Sequence, residues 1–211
     1  MPSPVKGHFA AIIEAKDLAK LLQDIYDYEG SYTLRMALRF QTMTFARPGN
    51  LVEAEWSEIN LESGEWRIPA HKMKMKDSHI IPLSKQAVKL LRDIYPLTGH
   101  TKYVFHSVQV KAGSEPHLCR ESLGAALRRM GYRGEQTAHG IRTTASTLLH
   151  EFGFNSDVIE RQLAHAERNK VKKAYNRAAY LPERRAMMQH WSDYLDNLKE
   201  EGANVVFLRH G

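Results

Sequence analysis

The feature that most limits what this chain can fold into is a change of period near its middle. Two short runs, Gly64-Glu65-Trp66-Arg67-Ile68-Pro69 and His79-Ile80-Ile81-Pro82-Leu83, read as strands joined by a lysine-rich connection. Almost everything around them has helical spacing. Leu18, Leu21, Leu22 and Ile25 recur at helical intervals, and Gly30-Ser31 ends that helix and caps the next. Leu34, Ala37, Leu38 and Gln41 continue a second helix to Thr44-Phe45-Ala46. Pro48 suits the first turn of a third helix, expected to run through Trp56, because its missing N–H is not needed there. Ser84 caps a helix whose apolar face is Ala87, Leu90, Leu91 and Ile94. Tyr103-Val104-Phe105 is expected to supply a third strand, and the spacing then predicts helices over roughly 118–130, 139–152, 156–164, 167–178 and 182–200. The expected fold is mainly α with a small three-stranded antiparallel sheet.

Composition narrows the class. At 211 residues the chain suits a single domain, with a core over about 9–200 and a tail at 201–211 that carries the apolar Val205-Val206-Phe207-Leu208. A hydrophobic fraction of 43% is enough to build a core, which argues against disorder. Cys119 is the only cysteine, so neither an intramolecular disulfide nor a cysteine-based zinc site is possible. There is no signal peptide and no apolar run near 18 residues, so a cytoplasmic protein with no membrane partner is expected. Thirty Lys+Arg against 24 Asp+Glu give a net charge of +6, which favours a polyanionic partner.

Several cationic and acid–base side chains stand in a suggestive order. Arg47 follows an apolar helix at a Pro-Gly turn, although a surface arginine at a helix end explains it equally well. Lys72, Lys74 and Lys76 alternate with Met73 and Met75, so an extended segment would put the lysines on one face. On local grounds a hairpin edge protected by lysines is the stronger reading. His139 and Arg142, three apart in an apolar helix, share a face and could address one anion together. A lone histidine would more readily be a core residue. His165 follows another apolar helix. Tyr175 lies among Arg168, Lys170, Lys172, Lys173 and Arg177, and positive charge favours the ionised form of a phenol. A solvated basic helix with a half-buried tyrosine fits that stretch as well. Together these groups could serve a phosphodiester. Arginine forks clamp the non-bridging oxygens, acid–base groups move protons, and a side-chain oxygen can form a covalent intermediate.

The set Arg47, Lys74, His139-x-x-Arg142, His165 and Tyr175 resembles the active site of the tyrosine recombinase (phage integrase) family, in particular prophage and satellite-phage integrases. The likeness runs from about Phe9 to Asp196. It is carried by Arg47-Pro48-Gly49, Trp66-x-Ile68-Pro69-x-x-x-Met73-Lys74, His139-Gly140-x-Arg142, Gln162-Leu163-Ala164-His165 and Ala174-Tyr175-Asn176-Arg177. In that family the catalytic lysine stands eight residues before a Pro-Leu, which from Pro82 selects Lys74 over Lys72 and Lys76. One departure is Asn50, where the family usually has an acidic residue. The resemblance implies a catalytic domain without the family's N-terminal arm-binding and core-binding domains.

It also implies a mechanism. Tyr175 would attack the scissile phosphate to form a 3′-phosphotyrosyl link. Arg47 and Arg142 would clamp its oxygens with His165, Lys74 would protonate the leaving 5′-oxygen, and His139 would assist at the tyrosine. No cofactor and no metal are implied. The partners would be double-stranded DNA at attachment sites and three further copies of the chain in a tetramer on DNA. Lys72, Lys76, Arg168, Lys170, Lys172, Lys173 and Arg177 are candidate DNA contacts. The alternatives are an inactive DNA-binding remnant and a type IB topoisomerase, which shares nearly the same chemistry. The terminal Arg209-His210-Gly211 echoes histidine phosphatases, but its position at the end of the chain argues for coincidence.

Overall fold

A computed structural model describes residues 9–74, 76–108, 113–165 and 180–201. Helix α1 (Ala15–Asp27) buries Leu18, Leu21, Leu22 and Ile25, the face its spacing selects. Helix α2 (Tyr32–Thr44) is capped by the Ser31 hydroxyl, which accepts from the Leu34 N–H. Ten of its thirteen residues are buried, so it is the central helix, and only the stripe Tyr32, Arg35 and Arg39 stays partly exposed. Helix α3 (Pro48–Val52) follows after a sharp corner. Helix α4 (Lys85–Thr98) buries Ala87, Leu90, Leu91 and Ile94 and is capped by Ser84 as expected. Helices α5 (Arg120–Arg129), α6 (Gly140–Glu151), α7 (Ser156–Gln162) and α8 (Leu181–Glu201) complete the described fold. Helix α2 packs against α1, α3, α4, α5 and α8, while α8 also reaches α1, α4, α7 and the sheet.

The sheet contains β1 (Ile59–Asn60), β2 (Glu65–Ile68) and β3 (His79–Pro82), antiparallel in that order. Trp66 pairs with Ile59 on one side and Ile81 on the other. It is fully buried beneath Phe40 of α2, whose ring also meets Phe105. The fold class expected from the spacing is therefore the observed one, but the third strand is not the expected one. Tyr103 makes only an isolated bridge to Glu55, and Val104 and Phe105 are fully buried in the core. The third strand is the two-residue Ile59–Asn60, too short for its alternation to register as a pattern.

Two further boundaries differ from expectation. Helix α3 stops at Val52, and Trp56 instead opens a single 3₁₀ turn, Trp56–Glu58. The lysine connection is not extended. It begins with a 3₁₀ turn, Ala70–Lys72, and Lys76 has φ of 53°, so alternation does not place its lysines on one face. The helix expected over 167–178 and the tail at 202–211 lie outside the described residues.

Candidate active site

Two helix ends build the centre of the site. Helix α2 stops at Phe45, whose backbone lies in the left-handed region (φ 38°, ψ 35°) while its N–H still donates to the Gln41 carbonyl. Helix α7 stops in the same way at Ala164 (φ 51°). There the Ala164 N–H donates to the Arg161 carbonyl at 3.1 Å and the His165 N–H to the Glu160 carbonyl at 3.2 Å. These two bonds close a Schellman turn with alanine where glycine is usual.

The stops leave carbonyls without intrahelical partners, and both arginines take them. Arg142 donates from Nη1 to the Phe45 carbonyl at 2.8 Å and from Nη2 to the Leu163 carbonyl at 2.5 Å. Arg47 donates from Nη2 to the Ala164 carbonyl at 2.9 Å. Helix C-termini carry partial negative charge, so this placement favours the cations without neutralising them. Arg142 is 6% exposed. Burial, and then the charge of Arg47, pull its pKa down to about 10, and it remains cationic at neutral pH. Burial lowers Arg47 as well. Two like charges held by neutral dipoles keep their attraction for an anion.

The histidines stand at the rim. His139 is the residue before α6, half-buried, with its ring 4.2 Å from that of Phe9. Burial, then Arg142, Arg47 and His165, hold its pKa below the ordinary 6.5, so it is neutral at pH 7 and able to accept a proton. Gly140 beside it has a physical reason to be glycine. A Cβ there would collide with the Ala10 carbonyl, because the N-terminal segment crosses the start of α6 and accepts the Thr137 N–H at 3.1 Å. His165 is exposed and places Nδ1 2.7 Å from the Glu160 carboxylate, a contact that orients its ring.

Lys74 is exposed in a turn. Lys72 faces the other way. Its ammonium donates to the Glu53 carbonyl at 2.8 Å, to Glu55 at 2.7 Å and to Glu58. Burial alone would lower its pKa, but Glu55 and Glu58 more than offset this and raise it. The expectation that Lys72 contacts DNA therefore does not fit, because its charge is already matched inside the protein. Lys76 is exposed. Tyr175, Arg168, Lys170, Lys172, Lys173 and Arg177 lie outside the described residues. Tyr180, the nearest other tyrosine, packs against the hydrophobic core at the start of α8.

A second layer had no signal in the sequence. His79, 3% exposed, has Nε2 3.1 Å from the Gln162 carbonyl. Burial first, then the charges of Arg184, Arg161 and Arg47, push its pKa well below 6.5. Arg184 of α8, also buried, donates to the Gln162 side chain at 2.7 and 2.9 Å and to the Ile80 carbonyl. Burial and Arg161 pull its pKa down to about 9. This brace ties the turn that carries Leu163, Ala164 and His165 to both the sheet and helix α8.

Residues 12–181 match the Phage integrase family. The chain belongs to that family. Its relatives include the prophage integrase IntA of Escherichia coli (strain K12), 40% identical over 198 residues that cover 94% of this chain and 46% of the relative. The integrase of Enterobacteria phage P4 is 35% identical, over 96% of this chain and 49% of the relative. The chain thus spans about half the length of these two relatives. Among solved structures, the integrase from mycobacterium phage Brujita superposes with a TM-score of 0.67 at 12% identity, covering 92% of this chain and 65% of that one. The XerH recombinase in a pre-cleavage complex with its difH substrate gives 0.57 at 18% identity, covering 80% and 53%. These likenesses establish the tyrosine recombinase fold. No helix among the described residues is long and apolar enough to cross a membrane.

Proposed function

We propose that this chain is the catalytic part of a site-specific DNA recombinase that integrates or excises a genomic element through a 3′-phosphotyrosyl intermediate. The observation that carries the reading is the pair Arg47 and Arg142, converging on one recess and held there, among the described residues, by carbonyls rather than carboxylates. An unneutralised pair of guanidiniums matches the charge that develops on a phosphoryl group in transfer.

In this reading the Tyr175 oxygen attacks phosphorus as His139 accepts the phenolic proton. The bond from phosphorus to the 5′-oxygen breaks, and Lys74 gives that oxygen a proton. A 5′-hydroxyl from the partner duplex then displaces Tyr175 in the reverse sense. One phosphodiester is exchanged for another at each step, so no outside energy source is needed. Tyr175 is favoured over Tyr180 because Tyr180 is packed on the core. Double-stranded DNA at attachment sites is the substrate, with four protomers on two duplexes for a full exchange. Lys76 and the basic stretch from Arg168 to Arg177 are the proposed phosphate contacts.

The test is incubation with a nicked duplex carrying the junction of the element that encodes the chain. A covalent protein–DNA band is expected, lost in Tyr175→Phe and kept in Tyr180→Phe. No band with the wild-type protein would support a DNA-binding remnant. A band with relaxation of supercoils but no exchange between duplexes would support the topoisomerase alternative.

A further inference from the structure

The lysine turn is held from its base. The Lys72 ammonium is fixed on Glu55, Glu58 and the Glu53 carbonyl, Met73 is buried in the core, and Lys74 comes next, facing solvent. The Lys72 backbone is fixed too, because Asn50 Nδ2 donates to its carbonyl at 2.9 Å. A carbonyl can only accept, so this bond assigns the amide orientation of Asn50. Asn50 is 8% exposed and sits one helical turn after Arg47, in the helix that Arg47 opens.

We propose that Asn50 and Lys72 form a latch that couples the position of Lys74 to that of Arg47, Asn50 acting as a positioning residue through its N–H donor. The inference rests on Lys74 being the acid of the proposed reaction. The path is short: Arg47 to Asn50 along α3, the hydrogen bond to Lys72, then two residues to Lys74. An exposed lysine on a turn samples many positions, and proton transfer to a leaving oxygen needs hydrogen-bond reach in the transition state. Planting Lys72 and Met73 removes most of that freedom without burying the Lys74 ammonium, which must be free to meet DNA. The latch also explains why the position takes an amide. A carboxylate of the same shape has no proton to donate and would set its lone pairs against the Lys72 carbonyl.

The test separates loss of the acid from loss of anything else. A bridging 5′-sulfur at the scissile phosphate is a leaving group that needs no proton. Asn50→Asp and Asn50→Ala should slow covalent adduct formation on ordinary DNA by about ten- to a hundred-fold, the scale of misplacing one acid–base group. With the sulfur substrate both should run within about three-fold of wild type, because only the step that uses the acid was lost. Lys74→Ala, run alongside, should show the same rescue from a deeper loss, and Arg47→Ala should show none.

Equal slowing of the Asn50 variants on both substrates would overturn the latch, since a general packing defect affects every step alike. No slowing on either substrate would overturn it as well. If the wild-type protein forms no adduct, the proposed reaction itself fails. If Lys74→Ala is not rescued by sulfur while the wild type cleaves, the acid is elsewhere and the latch falls with it. Should Asn50→Asp not fold, Asn50→Ala carries the same comparison, with thermal melting as the check on folding.

Discussion

In the proposed reaction the arginine cradle and the lysine turn would deliver a cation to one substrate in two different ways. Arg142 is buried, with two of its nitrogens bonded to carbonyls at two helix ends. Lys74 is exposed, and only the residues before it are held. The difference follows the chemistry each group would do. A clamp that stabilises developing charge works best when it is already in place, so that no reorganisation is paid during reaction. An acid must hand over a proton and recover it, and a buried lysine would have its pKa pushed down by desolvation before it ever met DNA. In the proposed reaction the guanidinium of the clamp is itself held, whereas at the lysine turn the backbone is held and the ammonium stays exposed.

The comparison breaks most easily at Arg142. Arg142→Lys keeps a charge but loses the planar fork that spans Phe45 and Leu163. Adduct formation should fall by about 10²–10³ on both oxygen and sulfur substrates. A loss confined to the oxygen substrate would mean that Arg142 serves the leaving group and that the two regions are not distinct.

Lys72→Met tests the other side. It leaves Glu58, 7% exposed, without its cation and Glu55, 20% exposed, with only the longer contact to Lys102 at 3.7 Å. A stability loss of about 3 kcal/mol is expected by denaturant unfolding, near the low end for a broken buried pair because Glu55 keeps some water. Lys74→Ala, two residues away, should change stability by less than about 0.5 kcal/mol. Similar losses in both variants would contradict the division of labour within the turn.

Acid sharpens the picture of the arginine side. His79 and His139 have folded pKa values below 6.5, from burial and from arginine charge, so the unfolded chain binds protons more readily than the folded one. Their contribution to stability is complete above pH 6.5 and is lost as pH falls from 6.5 toward the folded values. The fully buried His79 should cost up to about 1.4 kcal/mol for each pH unit in that window, and the half-exposed His139 less. Melting temperature should fall steeply from pH 7 to pH 5, and His79→Gln should flatten that slope. An unchanged slope would remove His79 from the account.

The smallest effect is expected at the α7 stop. Ala164→Gly keeps the carbonyl that Arg47 uses and relieves a left-handed backbone at φ 51°. Stability should rise by roughly 0.5 kcal/mol, the relief of strain partly offset by the entropy of glycine in the unfolded chain. Cleavage should stay within about two-fold. A marked loss of cleavage would show that the alanine methyl itself shapes the cradle.

The helices were legible in the sequence because burial of one face repeats with the helical period, as at Leu18, Leu21, Leu22 and Ile25 or at Ala87, Leu90, Leu91 and Ile94. So were the strand pair and the list of chemically able side chains, since residue type alone says which groups can clamp an anion or move a proton. The third strand was not legible, because two residues are too few to show a period, and an apolar run such as Tyr103-Val104-Phe105 fits a core loop as well as a strand. Nor could alternation tell Lys72 from Lys74. One points inward and the other outward because carboxylates from Glu55 and Glu58, more than a dozen residues away, meet only the first. The left-handed stops at Phe45 and Ala164 left no trace either, since neither residue favours that backbone locally. Long-range hydrogen bonds decide these points: Arg142 reaches back 97 residues to Phe45, and Arg184 joins Gln162 to Ile80 across the fold. Residue identity set which chemistry was available, and only packing between distant segments decided which cation is left facing solvent and which is held inside.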